Sequence, residues 1–554
     1  MALHLPRADF RRRQGSRPRR FRPLVGLFTA GLLAAATACG GGSSGGTPGA
    51  GLTVAIESQP ECLDPAVSAL DVTAVVDRNV FDSLVDMAPD GSFRPWLAQS
   101  WEISPDGLEY TFHLRPGVTF HDGTPLDAAA VKASLDHVVD PATKSVYAAG
   151  LIKGYTGATA VDADTVVIRL AAPQAALLQA LSTAYLGIQS PKSIAENAAN
   201  LCAQPVGSGP FRFGSWARNQ NIVLERNPGY AWAPDGSAHT GPARADRLTF
   251  SIVPETSVRF GALTSNQADV ITGLPPDRVA TLEGGSGKVL RAEAPGVGFT
   301  LFLNPLREPL ADERVRTAFA RSLDLDALVK SVYFGEYRRA WSPLGPTTVG
   351  YDPTLVGTWP YDPALANRLL DQAGWTGRDS EGYRTKNGER LTLRWPYATQ
   401  MLREQRDILA QGIQAQAKEA GFHVDYVGQD TGTFTKDVLG RDLDINAISN
   451  VRAEPDVLRT FFASDQTPQK AGGNVFAIND PQLDRFLNDA TATTDPAARA
   501  ALYANAQRYI IEHALAVPVY VPVQLVGTAS QVSGVTFDAQ GYPRFYGAGK
   551  GSSA

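Results

Sequence analysis

The sequence predicts an α/β protein built of more than one domain. Three observations carry that expectation. Short apolar runs and strictly alternating runs, the marks of strands, are interleaved along the chain with stripes of apolar residues at helical spacing. Many of the helical stripes open on an Asp that can cap them. The chain is 554 residues long, against a rough guide of ~100–200 residues per domain. With 44% hydrophobic and 19% charged residues it is ordinary globular material, long enough to bury large cores.

The chain opens on a targeting segment. Arg7, Arg11, Arg12, Arg13, Arg17, Arg19, Arg20 and Arg22 precede an apolar stretch, 24–36, too short to span a bilayer. Ala36-Thr37-Ala38-Cys39 follows and resembles a bacterial lipobox, which implies cleavage after residue 38 and a lipid on Cys39. The alternative is an ordinary signal peptide with an incidental Cys. Loss of residues 1–38 removes eight Arg and one Asp, so the formal charge moves from −5 to −12. An acidic mature chain argues against nucleic acid as a partner. With Cys39 lipidated, Cys62 and Cys202 remain. In an oxidising compartment they predict one disulfide, the alternative being two separate thiols. Residues 39–51 form a Gly/Ser-rich tether that spans roughly 20 Å as a flexible coil.

The folded part begins with a short strand over 52–56 and a loop carrying Glu57 and Ser58. Val76, Val80 and Leu84 predict a helix over 72–84. Leu108 to Arg115 alternates strictly: Leu108, Tyr110, Phe112 and Leu114 face one way, Glu109, Thr111, His113 and Arg115 the other. Turn chemistry flanks it at Pro105-Asp106-Gly107 and Pro116-Gly117. A return strand over 118–121 is expected next, then a helix capped by Asp127 with Val131, Leu135 and Val138 inward. Strands are expected over 166–170, 222–226, 248–252 and 269–271, and helices over 175–181 and 258–263. The Gly/Pro-rich stretch 274–295 carries no period and marks a change of domain. Beyond it lie a strand over 297–303, helices capped by Asp312, Asp324, Asp362 and Asp495, a strand over 391–395, a helix over 403–420 stopped by Gly421, a strand over 424–427 and an extended run over 517–525.

The wording of one stretch goes further than its period. Pro95, Leu97, Ala98, Ser100, Trp101, Ser104, Asp106 and Gly107 lead into Tyr110-Thr111-Phe112, Leu114-Arg115, Gly117-Val118, Phe120-His121-Asp122-Gly123 and Pro125. This run resembles the signature segment of the solute-binding proteins of ABC importers, in the peptide/nickel/opine class known as family 5. Phe81-Asp82-Ser83-Leu84-Val85, Pro205-Val206-Gly207-Ser208-Gly209-Pro210-Phe211 and the run 309–316 resemble further phrases of that family. The resemblance covers nearly all of 52–545 in the expected order. It implies a two-lobed periplasmic-binding-protein fold of the type II-like kind, hinged by crossover strands. The first lobe is discontinuous, over 52–84, 205–274 and 522–554; an extra subdomain occupies 85–204; the second lobe is 275–521. It further implies an extracytoplasmic, lipid-anchored monomer that takes a small solute, peptide-like or acidic, and passes it to a membrane permease.

Cleft positions of the family fall here on Glu57 and Ser58, on Trp395, Tyr397 and Thr399, and on Asn450 and Arg452. Peptide receptors of the family carry, shortly before an Asp-Pro, an Asp that pairs with the peptide's amino terminus. This chain has Val451 near that position and Glu454-Pro455 in place of Asp-Pro. A buried ammonium needs a countercharge, whereas Arg452 offers forked donors to a carboxylate; a surface ion pair is its alternative role. Trp395 and Tyr397 can stack on a ring or sugar, and Trp395 can equally pack in the core.

Chemistry-bearing motifs are absent from the sequence: there is no HExxH, GxSxG, CxxC or Walker loop. His113 and His121 sit in the signature segment, where a solvated strand face is expected rather than a metal site. No cofactor or catalytic residue is expected. A cell-surface sensor without transport and a secreted hydrolase are the other classes weighed.

Overall fold

A computed structural model describes residues 51–551 apart from 146, 286 and 471. The signal segment, Cys39 and the tether up to residue 50 lie outside the described residues. Among the described residues no helix is long and apolar enough to cross a membrane.

The first core is a seven-stranded mixed sheet. Its order is Gly287–Glu293, Val523–Ala529, Val270–Ile271, Leu52–Ile56, Arg247–Ile252, Asn221–Arg226 and Phe211–Ala217. Leu52–Ile56 has a parallel neighbour on each side. That central place explains its near-continuous apolar sequence, since both faces are covered. The second core holds a four-stranded antiparallel sheet, ordered Arg338–Arg339, Ala516–Val521, Gly296–Leu303 and Ile445–Val451. Thr392–Ala398 pairs with His423–Gln429 in parallel beside it, and Asp444 N donates to Arg394 O at 2.9 Å to join the two.

Two adjacent strands run from one sheet into the other. Gly287–Glu293 passes through Ala294 and Pro295 into Gly296–Leu303, and Ala516–Val521 passes through Pro522 into Val523–Ala529. At the crossing Ala294 N donates to Pro522 O at 2.8 Å. The chain therefore passes between the two sheets at 294–295 and 522. Gly287–Glu293 pairs along its whole length with Val523–Ala529, so it belongs to the first lobe despite the Gly/Pro-rich stretch before it.

Residues 85–204 hold a third sheet, antiparallel, ordered Ala98–Ile103, Glu109–Leu114, Thr165–Leu170 and Tyr155–Ala160. Tyr110, Phe112 and Leu114 are buried and Glu109 is exposed, as alternation requires. Asp127 caps helix Ala128–Val139 by accepting from Ala130 N at 2.9 Å. The expected return strand over 118–121 reduces to one bridge, Thr119 to Pro125. His121 is drawn elsewhere: its backbone N donates to Gly207 O at 2.8 Å and its Nε2 to Gly209 O at 3.0 Å.

The same loop shortens the first helix. Helix Asp71–Asp77 stops well before Leu84, because Gly209 N donates to Val80 O at 2.8 Å and Phe211 N to Asn79 O at 2.9 Å. A Cβ on Gly207 would lie 2.1 Å from Val80 O, and one on Gly209 2.6 Å from Val80 C. The glycines of the 205–211 phrase thus serve close backbone approach. Asp82 completes the knot, accepting from Ser208 Oγ (2.8 Å), Trp232 Nε1 (2.9 Å) and Tyr230 OH (3.1 Å). Burial, only partly offset by those donors, pushes its carboxyl up to about 6. Cys62 and Cys202 form a disulfide between positions 140 apart in sequence, and Leu63 N donates to Cys202 O at 2.9 Å beside it.

Candidate ligand-binding cleft

The cleft is built where the ends of first-lobe elements meet the second lobe. Leu52–Ile56 delivers Glu57 and Ser58, both exposed, at the carboxyl end of the parallel strands. Glu57 accepts from Thr272 Oγ1. Arg259 beside it is spent on the carbonyls of Val253, Thr272 and Gly273 at 2.8–3.1 Å. Helix Asp71–Asp77 places Asp71 at its first position. Asp71 accepts from Tyr542 OH at 2.6 Å. Burial raises its carboxyl above the usual range; Tyr542 and Arg403 pull it back, and Glu57 and Glu404 push it further up. Tyr147 and Tyr185 stand beside it, edge to face at 4.7 Å.

The second lobe answers with a loop and a strand. Helix Arg406–Ala420 starts three residues later than the sequence predicts. Glu404 and Gln405 are held at φ +55° and +53°, left-handed backbone that non-glycine residues seldom adopt. The turn aims Glu404 at Arg406 (Oε2 to Nη2, 2.8 Å) and at the Tyr520 hydroxyl (2.5 Å). Arg406 also donates to Tyr520 OH at 3.0 Å and to Ser449 Oγ at 2.7 Å, and lies 4.4 Å over the Phe299 ring. Burial raises the Glu404 carboxyl, but Arg406 and Arg403 outweigh it and hold the group below its usual range. Arg403 is exposed and, among the described residues, its side chain keeps a 3.3 Å contact to Ser449 Oγ and a 3.9 Å one to Glu404.

Strand Ile445–Val451 carries Asn450 and leads to Arg452, both half-buried. Arg452 is in no ion pair among the described residues, and its charge acts on the buried Asp456 carboxyl. Its Nε is buried with no hydrogen-bond partner among them. Its backbone N donates to Pro295 O at 3.2 Å, directly at the crossover. The acids that follow are already used. Glu454 pairs with Arg499, and Asp456 accepts from Thr491 Oγ1 at 2.8 Å and Tyr503 OH at 3.1 Å.

Three expected contributors stand in different settings. Trp395 is 2% exposed and packs edge-on against Tyr426 at 4.9 Å. It is a core residue, placed there by strand alternation, and offers no face to a solute. Tyr397, half-buried, stacks on Tyr426 at 4.1 Å. Thr399 is exposed and donates to Gln429 O at 3.2 Å. Asp71, Arg403, Glu404 and Arg406 were not singled out from the sequence. One signal was available: Arg403 and Arg406 sit where a helix N-terminus disfavours cations.

The profile of "Bacterial extracellular solute-binding proteins, family 5 Middle" matches residues 92–470. The chain belongs to family 5 of the bacterial extracellular solute-binding proteins. Members bind solutes for ABC importers outside the cytoplasm and are not enzymes. Among curated relatives, the glutathione-binding protein GsiB of Escherichia coli strain K12 is 28% identical over 478 residues, 85% of this chain and 88% of that protein. GsiB of Pectobacterium atrosepticum is 29% identical over 462 residues, 82% and 85% of the two chains. Among solved structures, NikA from Brucella suis in complex with Fe(III)-EDTA aligns with a TM-score of 0.79 at 25% identity, covering 90% of this chain and 100% of that one. DppA from Helicobacter pylori in complex with the peptide STSA aligns with a TM-score of 0.72 at 25% identity, covering 91% and 98%. These neighbours share the two-lobed architecture, and family 5 membership makes the interlobe cleft the place to look for solute.

Proposed function

We propose that the mature chain is a lipid-anchored receptor on the outer face of the plasma membrane. It captures an oligopeptide or modified peptide between its lobes and hands it, unchanged, to the permease of an ABC importer. The observation that supports this most is the pair of adjacent crossovers at 294–295 and 522, which leave the lobes free to close on a solute that touches both. Relatives named for glutathione, a γ-linked tripeptide, make it the first solute to test. It acts as a monomer, held to the membrane through Cys39 and the tether.

Mass spectrometry of what copurifies with the mature domain, followed by a thermal-shift screen of glutathione and short peptides against carbohydrates, tests the solute class. A peptide-type compound in the eluate and a rise in melting temperature with glutathione or peptides are expected. A carbohydrate in both assays would overturn the reading. Replacing Cys39 by Ala should release the protein from the membrane fraction; unchanged membrane association would remove the lipid anchor.

A further inference from the structure

The helix that begins at Asp71 ends on a buried cation with no countercharge in contact among the described residues. Arg78 closes helix Asp71–Asp77 and is 5% exposed. Its Nη1 donates to Ser83 Oγ at 2.8 Å and its Nη2 to Ser182 O at 2.7 Å, both neutral acceptors. Its Nε is buried with no hydrogen-bond partner among the described residues. The acids around it are engaged elsewhere or neutral. Asp86 pairs with Arg94 at 2.9 Å and with Arg544 at 2.6 Å. Asp82 accepts from Ser208, Tyr230 and Trp232. Asp538 accepts from the backbone N of Gln540 and of Tyr542, each at 2.9 Å. Asp77 precedes Arg78 in sequence, but neither of its oxygens has a partner among the described residues, and burial raises its carboxyl well above the usual range. Arg544 comes close as well. Arg78 and Arg544 lie over the same Trp96 ring, 5.1 and 5.9 Å from its centroid. Trp96 is 3% exposed, and its Nε1 and the Arg544 Nε are also buried without a partner among the described residues. Burial first, and then the like charge of Arg544, lower the Arg78 guanidinium to about 10; the attraction of Asp538, Asp86 and Asp82 ranks below that repulsion.

We propose that Arg78, Trp96 and Arg544 hold one inorganic anion of chloride size in the interior of the fold. A desolvated guanidinium needs negative charge within contact distance. Water can satisfy a donor, but it cannot neutralise two like charges gathered on one ring. The unpartnered groups of these three side chains are all N–H donors that cannot accept, which suits an acceptor carrying no proton of its own. The burial of Arg78 and Trp96 selects a compact ion over a solute-sized molecule. The ion joins three segments distant in sequence. Arg78 stands at the far end of the helix that Asp71 begins, and Arg544 stands two residues beyond Tyr542, whose hydroxyl donates to Asp71. The anion thus braces the framework that positions Asp71, whatever solute the cleft takes.

Two measurements on the mature chain test this. Crystals grown in sodium bromide and measured at the bromine absorption edge should show an anomalous peak between Arg78 and Trp96. In solution, the melting temperature should rise by about 1–3 °C for each tenfold rise in chloride at fixed ionic strength, gluconate replacing chloride. Arg78→Met should melt at the same temperature in both salts and lose the bromide peak. Trp96→Phe keeps the ring under the guanidiniums but removes the Nε1 donor; it should show a reduced chloride response, and it carries the test if Arg78→Met does not fold. No anomalous signal between Arg78 and Trp96, or equal melting of the parent in chloride and gluconate, gives the place to water and overturns the proposal. A chloride response left unchanged by Arg78→Met, or by Trp96→Phe where that variant carries the test, places the ion elsewhere and overturns it too.

Discussion

A guanidinium nitrogen buried without an acceptor carries a desolvation cost that folding alone does not recover. Arg452 Nε is in that position, and a ligand carboxylate is the group that would relieve it. Arg452→Ala should therefore weaken binding of an acidic ligand more than about tenfold while the melting temperature of the unliganded protein stays nearly constant, since no native ion pair is lost. Equal affinities by calorimetry would take Arg452 out of the site. Asp71 makes a pH prediction. Its folded carboxyl titrates above the ordinary 3.8, burial being the largest cause. A raised acid favours the fold below its unfolded pKa and loses that contribution as pH rises through the folded one. The melting temperature should thus fall as pH rises through this titration, and Asp71→Asn should lack that part of the slope. Charge could be listed from the sequence at this scale, but pairing could not. Arg452 and Glu454 are two residues apart, and only the fold shows that Glu454 turns inward to Arg499 while Arg452 is in no ion pair among the described residues.

Elements were legible wherever a local signal agreed with its surroundings. Asp127, Asp312, Asp324, Asp362 and Asp495 each cap the helix expected of them through a side-chain hydrogen bond. Two elements were misjudged because a distant segment competes for their backbone. The helix expected over 72–84 ends at Asp77, since Asn79 and Val80 pair with 209–211. The return strand over 118–121 gives way because His121 docks on 207–209. That docking is measurable. Burial holds the His121 ring neutral down to about 4, whereas in the unfolded chain it titrates near 6.5. The unfolded state takes up the proton first, so stability should fall as pH drops from about 6.5 towards 4, by roughly 3 kcal/mol from this group. Denaturant unfolding of His121→Gln should lack that part of the slope. The disulfide acts on the same unit from its other end, tying the loop after Leu52–Ile56 to the residues before the glycine phrase. Because it closes a loop of 140 positions, replacing both Cys62 and Cys202 by Ser should cost roughly 3–5 kcal/mol of unfolding free energy in the chain-entropy model.

At the scale of the whole molecule, the two-lobed plan was readable from the signature phrases, but the lobe boundary was not. Composition placed the change over 274–295, and hydrogen bonding moves it to the far end of that stretch. Two ion pairs bridge the lobes beside the crossovers: Arg291 with Glu336 at 2.8 Å and Arg338 with Glu293 at 2.5 Å. Both are partly solvated, and such pairs contribute at most about 1 kcal/mol each. That is enough to bias an open–closed equilibrium severalfold. Arg291→Gln should enlarge the radius of gyration of the unliganded protein in solution scattering and weaken ligand binding by a factor of about 2–5, through a smaller competent population. High salt should shift the parent protein the same way.

The stretch from Ala516 to Ala529 has a consequence for how the chain is made. It supplies an interior strand to each large sheet: Ala516–Val521 lies between Arg338–Arg339 and Gly296–Leu303, and Val523–Ala529 between Gly287–Glu293 and Val270–Ile271. Ribosomes add this piece after every other strand of the two sheets. Until it emerges, both halves lack a central strand, leaving gaps that no earlier residues fill. Synthesis thus keeps both sheets unfinished until this piece is made, a state suited to threading through a secretion channel. Stalled translation products ending near residue 510 should be digested by trypsin throughout, and resistance should appear abruptly once roughly 30–40 further residues clear the exit tunnel.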